Sequence, residues 1–328
     1  MKILITGING FVGSNLTRAL RETPLQQNQE IYGLDIASPQ KDGVVKTFSW
    51  DDLNFPSFKN LESFPSFDAI IHLAGKAHDT KNKADAQEYF DVNVGLTKKI
   101  FDYFVQSEAT KFIFFSSVKA AANRVDGEIL TENVAPKPVG AYGESKLQAE
   151  EYISSSLPLS CGEGVGGRGA YILRPAMIHG PGNKGNFNLL YSAVKHGFRY
   201  QLGIFDNLRS FASIENVIFI IKQILESDIP SGIYNIADDE PVSTNQLIAW
   251  IASSLGKKTK RLNISQLYIK YLAKAGSILH LPINTERLEK LSENYIVSNS
   301  KIKSALGISK LPVDAQTGFI HTLYSLKT

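Results

Sequence analysis

Residues 2–13 read K-I-L-I-T-G-I-N-G-F-V-G, and this stretch decides the fold. Lys2 to Thr6 form a short run rich in Ile and Leu, suited to a strand buried on both faces of a parallel sheet. Gly7, Gly10 and Gly13 follow at three-residue intervals and run into a helical segment, Ser14 to Arg21. Such glycines permit a tight turn and let the backbone approach a pyrophosphate seated on the helix N-terminus. A second strand, Ile31 to Leu34, ends on Asp35, 22 residues beyond Gly13. A carboxylate there accepts hydrogen bonds from an adenosine ribose and repels a 2′-phosphate, which favours NAD over NADP.

Working outward, strands recur at Ala69–Leu73, Lys111–Ser116 and Ala170–Leu173, separated by helical stretches at Ala84–Gln106 and Tyr142–Ser156. Strands joined by helix-length segments imply right-handed crossovers and a doubly wound, parallel α/β sheet. Asn123 to Val139 reads as a loop over the carboxyl edge of that sheet, where ligands bind in such folds. After Pro175 the pattern loosens. Helices are expected at Phe187–His196, Ile214–Ser227, Thr244–Leu255, Ser265–Gly276 and Ser298–Leu306. The division expected is therefore 1–175 for nucleotide binding and 176–328 mainly for substrate binding, interleaved with late strands of the main sheet.

Composition fits a globular enzyme. The 328 residues are 43% hydrophobic and 20% charged, with a formal charge of +3 too dispersed to argue for nucleic acid. Lys257, Lys258, Lys260 and Arg261 follow Gly256 at an expected helix end, where cations complement the dipole. One cysteine, Cys161, excludes an intramolecular disulfide, and no His/Cys spacing points to a metal. Asp238, Asp239 and Glu240 are expected to form a solvated turn ahead of a helix rather than a metal site. The opening M-K-I-L-I-T is too short for a signal peptide and no apolar run reaches membrane-spanning length, so a cytoplasmic location without membrane contact is expected.

Chemistry enters with A-Y-G-E-S-K, where Tyr142 and Lys146 stand four residues apart on one helix face. A free phenol, with a pKa of ~10, is too weakly acidic to serve as a base at neutral pH. A cation roughly 4 Å away at an effective dielectric of about 20 supplies on the order of 4 kcal/mol, or about three pKa units. The expectation is a phenol brought into the working range by its lysine.

On these residues the chain resembles the extended branch of the short-chain dehydrogenase/reductase superfamily, and within it the nucleotide-sugar epimerases and 4-ketoreductases. T-G-x-x-G-F-x-G (Thr6–Gly13), H-L-A-G (His72–Gly75), N-V-G-L-T (Asn93–Thr97, with Leu96 in place of the usual glycine), F-S-S (Phe115–Ser117), Y-x-x-x-K and L-R-P-A-M-I-H-G-P-G (Leu173–Gly182) carry the resemblance. It implies a Rossmann-like sheet with a smaller C-terminal substrate region, and a Ser117–Tyr142–Lys146 proton relay. NAD contacts are implied for Gly7, Asn9, Gly10, Phe11, Val12, Gly13 and Asp35, and for Asp52 and Leu53 at the adenine. They are implied also for Leu73, Ala74, Gly75, Lys76, Asn93, Ser116, Tyr142, Lys146, Pro175 and Met177. On the substrate side it implies Ser117, Lys119, His78, Asn186, Arg209 and Arg287, with Arg209 suited to bidentate binding of phosphate oxygens.

Ser117 is followed by Val118, Lys119 and Ala120, without the Asp-Glu pair that the resembling 4,6-dehydratases use for elimination. What remains is hydride chemistry at C4. The resemblance implies a 4-epimerase of a UDP-sugar (UDP-N-acetylhexosamine or UDP-glucose/galactose) in surface-polysaccharide precursor synthesis, acting as a homodimer. The alternatives are an NAD(P)H-dependent reductase of a UDP-4-keto-6-deoxy-hexosamine and a non-catalytic dinucleotide sensor.

Overall fold

The computed structural model describes residues 1–39, 41–50, 65–77, 85–125, 127–156, 168–183, 186–197, 200–202, 206–262 and 292–327, with positions 269, 271, 274, 277 and 288. Six strands, β1 (Lys2–Thr6), β2 (Glu30–Asp35), β3 (Lys46–Ser49), β4 (Ala69–His72), β5 (Lys111–Phe115) and β6 (Gly169–Pro175), join the strand Gly232–Ile236 in one sheet. Every pairing in it is parallel. The spatial order is Gly232–Ile236, β6, β5, β4, β1, β2, β3, so the chain winds one way from β1 through β3 and the other way from β4 onward. The reversal lies between β1 and β4, and the crevice at their carboxyl ends is where such sheets bind ligands.

Strand periodicity explains how the two faces are covered. Ile3 and Ile5 of β1, Ile71 of β4 and Ile113 of β5 enter one core, with Leu16 and Leu20 of helix α1 (Phe11–Glu22) and Val217, Ile220 and Ile224 of the helix Ile214–Glu226. Their neighbours Leu4, Ile70, Phe112 and Phe114 point the other way, onto Ile100, Phe101 and Phe104, and onto Ala149 and Ile153. Alternation with apolar residues on both sides is what a sheet sandwiched between helices requires. A third core unites Phe187, Tyr191 and Val194 with Leu247, Ile248 and Ile251 and with Phe319 and Leu323.

Several described elements differ from the sequence expectation. Lys46–Ser49 is an added edge strand beside β2. The expected helix from Ala84 to Gln106 is, among described residues, α2 (Ala86–Phe90) and α3 (Leu96–Gln106) joined by a π-helical turn, Asp91–Gly95. A helix Ala315–Ser325, capped by Asp314, closes the described chain. The expected helix Ser265–Gly276 lies mostly outside the described residues.

Asp238 and Asp239 are not a solvated turn. Asp238 is 3% exposed and accepts hydrogen bonds from Ser213 N (2.9 Å) and Asn216 Nδ2 (2.7 Å). Asp239 takes Lys303 Nζ at 2.7 Å and Leu311 N at 2.9 Å. These carboxylates clasp segments distant in sequence, and burial is tolerable because their oxygens are hydrogen-bonded.

Candidate active site

The glycine loop is built around backbone contacts that leave no room for side chains. Gly7 has φ +66°, and a Cβ there would lie 2.8 Å from Ala74 N. A Cβ on Gly13 would run into the Gly7 carbonyl oxygen and lie 2.8 Å from Ile8 Cα. Gly10 caps α1 with no side-chain hydrogen bond, so no side chain competes for the helix N-terminus. Asp35 closes the adjoining end of β2, its carboxylate accepting from Asn9 N and from Ile36 N, both at 2.8 Å. A cradle of bare backbone at a helix N-terminus, flanked by a carboxylate, fits the pyrophosphate and ribose of a dinucleotide.

Beside it, the chain leaving β4 is fixed by a buried polar rail. Thr97 Oγ1 donates to Asn93 O at 2.6 Å, so it accepts from His72 Nε2 at 3.0 Å. His72 Nδ1 then accepts from Thr6 Oγ1 at 2.7 Å, and Thr6 Oγ1 accepts from Ala74 N at 3.1 Å. This assigns the Nε2–H tautomer, because each hydroxyl has one proton to give. Burial first, and the Lys146 ammonium second, push His72 down to about 3. A neutral folded His72 contributes stability that is present above the ordinary histidine pKa and lost as pH falls towards 3. Between pH 7 and pH 4.5 the loss from this residue is about 2–3 kcal/mol. Urea unfolding at the two pH values checks it: the stability difference seen in the wild type shrinks by that amount in His72→Gln.

Asn93, on the π turn, does not turn its amide outward. Its Nδ2 donates to Lys76 O (3.1 Å) and Ser145 Oγ (2.9 Å), and its Oδ1 accepts from Lys76 N (2.8 Å). It brackets the Leu73–Lys76 segment against helix α5 (Ala141–Ser156).

Helix α5 brings Tyr142 and Lys146 to the end of β5, where Ser117 caps the short helix α4 (Val118–Ala121). The Ser117 side chain hydrogen-bonds the Tyr142 phenol, and the edge of Tyr89 meets that ring with centroids 6.2 Å apart. Lys146 is buried, donates to Phe115 O at 2.8 Å and lies 5.0 Å over the Phe114 ring. Burial brings Lys146 down to about 8, with Glu150 pulling upward. The expectation of a phenol lowered by its lysine is corrected here. Burial pushes Tyr142 up, the Ser117 hydrogen bond works against that, and the Lys146 ammonium is engaged by the Phe115 carbonyl.

Ser116, Pro175 and Met177 flank this group at the ends of β5 and β6 and in the next short strand, Met177–His179. Arg209 lies in the strand Leu208–Arg209, its guanidinium lowered by burial and supported by Glu293. Lys119 is turned to Asn123 O at 2.9 Å and to the Tyr295 ring at 4.4 Å. Lys76 pairs with Glu88 and lies 5.7 Å from the Tyr89 ring. Asp52, Leu53, His78 and Arg287 fall outside the described residues, as does the side chain of Asn186, the first residue of its helix. Tyr89 was not legible from the sequence, since only the fold sets it against Tyr142.

The sequence model of the NAD dependent epimerase/dehydratase family matches residues 3–237. The chain is 29% identical over 328 residues to a UDP-glucose 4-epimerase of Vibrio cholerae, covering 98% of this chain and 94% of that one. It is 29% identical over 264 residues to an N-acetyl-alpha-D-glucosaminyl-diphospho-ditrans,octacis-undecaprenol 4-epimerase of Escherichia coli O157:H7, covering 80% and 75% of the two chains. In fold it is similar to a UDP-glucuronic acid 4-epimerase from Bacillus cereus solved with UDP-glucuronic acid and NAD. That TM-score is 0.72 at 21% identity, over 100% of this chain and 99% of that one.

Proposed function

We propose that this chain, which belongs to the NAD dependent epimerase/dehydratase family, inverts C4 of a UDP-sugar, with residues 1–175 holding NAD and residues 176–328 mainly holding substrate. The observation that carries the reading is the meeting of Ser117, Tyr142 and Lys146 at the carboxyl edge of the sheet, where the glycine loop also lies. NAD, when bound, supplies the acceptor and then the donor for the C4 hydride. Tyr142 takes the proton from the sugar hydroxyl and gives it back after the 4-keto sugar has turned over. Ser117 hydrogen-bonds the same oxygen, and the Lys146 ammonium, drawn off the Phe115 carbonyl, lowers the phenol during proton removal. Arg209 holds the diphosphate. The surface-polysaccharide setting and the homodimer implied by the resemblance belong to the same reading.

An epimerase of this kind uses its cofactor without releasing it. Acid denaturation of the purified protein is therefore expected to liberate NAD⁺ near one equivalent per chain, read by chromatography. An empty protein that consumes NADH with a 4-keto sugar nucleotide would replace the epimerase with the reductase.

Loss of one charge-assisted clamp weakens binding by about 1.5–3 kcal/mol, so Arg209→Ala is expected to raise the Kd for UDP by about 10–100-fold. Titration calorimetry on the NAD-loaded protein measures it. A Kd within about twofold of wild type, a difference below 0.5 kcal/mol, would remove Arg209 from the phosphate site.

A further inference from the structure

Glu150 stands one turn beyond Lys146 on α5, so Tyr142, Lys146 and Glu150 form an i, i+4, i+8 stripe on one helix face. The stripe meets three consecutive residues at the end of β5. Tyr142 meets the Ser117 side chain, Lys146 the Phe115 carbonyl, and Glu150 the Ser116 hydroxyl, which donates to Oε1. The Glu150 carboxylate is also held in a fork by Arg174 of β6, with Nε to Oε1 at 2.9 Å and Nη2 to Oε2 at 2.6 Å. Both side chains are 2% exposed. Arg174 immediately precedes Pro175, where β6 gives way to the segment that carries Met177.

A buried ion pair is a poor device for stability alone, because desolvation consumes most of the Coulombic gain and apolar pairs of similar volume often serve as well. This pair instead sits where β5, β6 and α5 converge, directly behind the reactive groups. We infer that Glu150, locked by Arg174, is a positioning residue for the Ser117–Tyr142–Lys146 trio: its carboxylate pins the end of β5 to helix α5 and so fixes the spacing of serine, phenol and ammonium. The inference rests on the proposed function and assigns the pair a part in it. Glu150 does not touch substrate. It acts through Ser116, one bond from Ser117, and through the field it casts on Lys146.

Two variants test it. Glu150→Leu with Arg174→Met removes both charges together, which keeps the core free of an unpaired ion. The expected result is a thermal midpoint within a few degrees of wild type, KM for the UDP-sugar within about threefold, and kcat lower by about 10²-fold, the cost of a misplaced reacting group. A folded double variant with kcat near wild type would overturn the inference. Should that variant not fold, Glu150→Gln with Arg174→Gln decides, since it also removes both charges but keeps hydrogen-bonding oxygen and nitrogen at the site. The titration of Lys146, followed by lysine-selective NMR, then moves to lower pH, and an unchanged titration overturns the inference. A wild-type chain that turns over no UDP-sugar would fail the functional reading instead, and the Lys146 titration would still judge the clasp.

Discussion

Tyr142→Phe is expected to lower kcat for UDP-sugar epimerisation by about 10²–10⁴-fold, the range that a positioned acid/base group contributes. The substitution deletes one oxygen from a half-buried ring whose edge contact with Tyr89 is apolar, so the helix and the cofactor cradle are left intact. NAD content and thermal midpoint should therefore match wild type, which separates lost chemistry from lost structure. The direction of the Tyr142 shift adds a condition. Burial first, and the neighbouring Tyr89 phenol after it, hold the proton on this phenol, and hydrogen bonding from Ser117 opposes them. In the proposed mechanism the Lys146 ammonium supplies the missing pull once the sugar hydroxyl is bound. Single-turnover measurement of Tyr142→Phe with UDP-galactose checks the claim, and a kcat within about tenfold of wild type would assign the proton transfer to another group.

Gly13→Ala is expected to empty the cofactor site. The added methyl would meet backbone on two sides, the Gly7 carbonyl oxygen and Ile8, at 2.8 Å from Cα and 2.9 Å from C. Backbone cannot rotate aside as a side chain can, so the loop must open, at about 1–3 kcal/mol of stability by the usual cost of overpacking. The greater effect falls on the pyrophosphate seat, and NAD recovered from the purified variant should drop at least about tenfold, the equivalent of 1.4 kcal/mol of affinity. Gly10→Ala is an internal comparison. Its methyl has a single neighbour, Gly7 O at 3.1 Å, and its φ of −70° is open to any residue. Retained NAD should rank wild type, then Gly10→Ala, then Gly13→Ala. Equal retention in all three would mean that the loop is not the seat.

How far the sequence carried these conclusions depended on the range of the interactions. The β1–loop–α1–β2 unit was legible because its signals are local: an apolar run, glycines at fixed spacing and Asp35 at the strand end. Tyr142 and Lys146 were legible for the same reason, since helical periodicity alone puts them on one face. The edge strand Lys46–Ser49 was not, because it exists through parallel pairing with β2 rather than through its own pattern. The acidic run at Asp238 misled because its partners Ser213 and Asn216 lie 25 and 22 residues away in sequence and only the fold delivers them. Tyr89 carried no local signal for a similar reason, and the pairing of Glu150 with Arg174 joins residues 24 apart that only the fold brings together. The Tyr142 expectation failed on a different ground: a pairwise Coulomb argument gives the lysine's pull but omits desolvation, which is the largest influence on this phenol.

Epimerisation at C4 is read by NMR of a UDP-sugar incubated with pure protein and no added cofactor. With UDP-N-acetylglucosamine or UDP-glucose, the C4 epimer is expected to grow to equilibrium, and not to grow with Tyr142→Phe. Protein shown to carry NAD⁺ that leaves both sugars unchanged, while consuming NADH with a 4-keto sugar nucleotide, would contradict it.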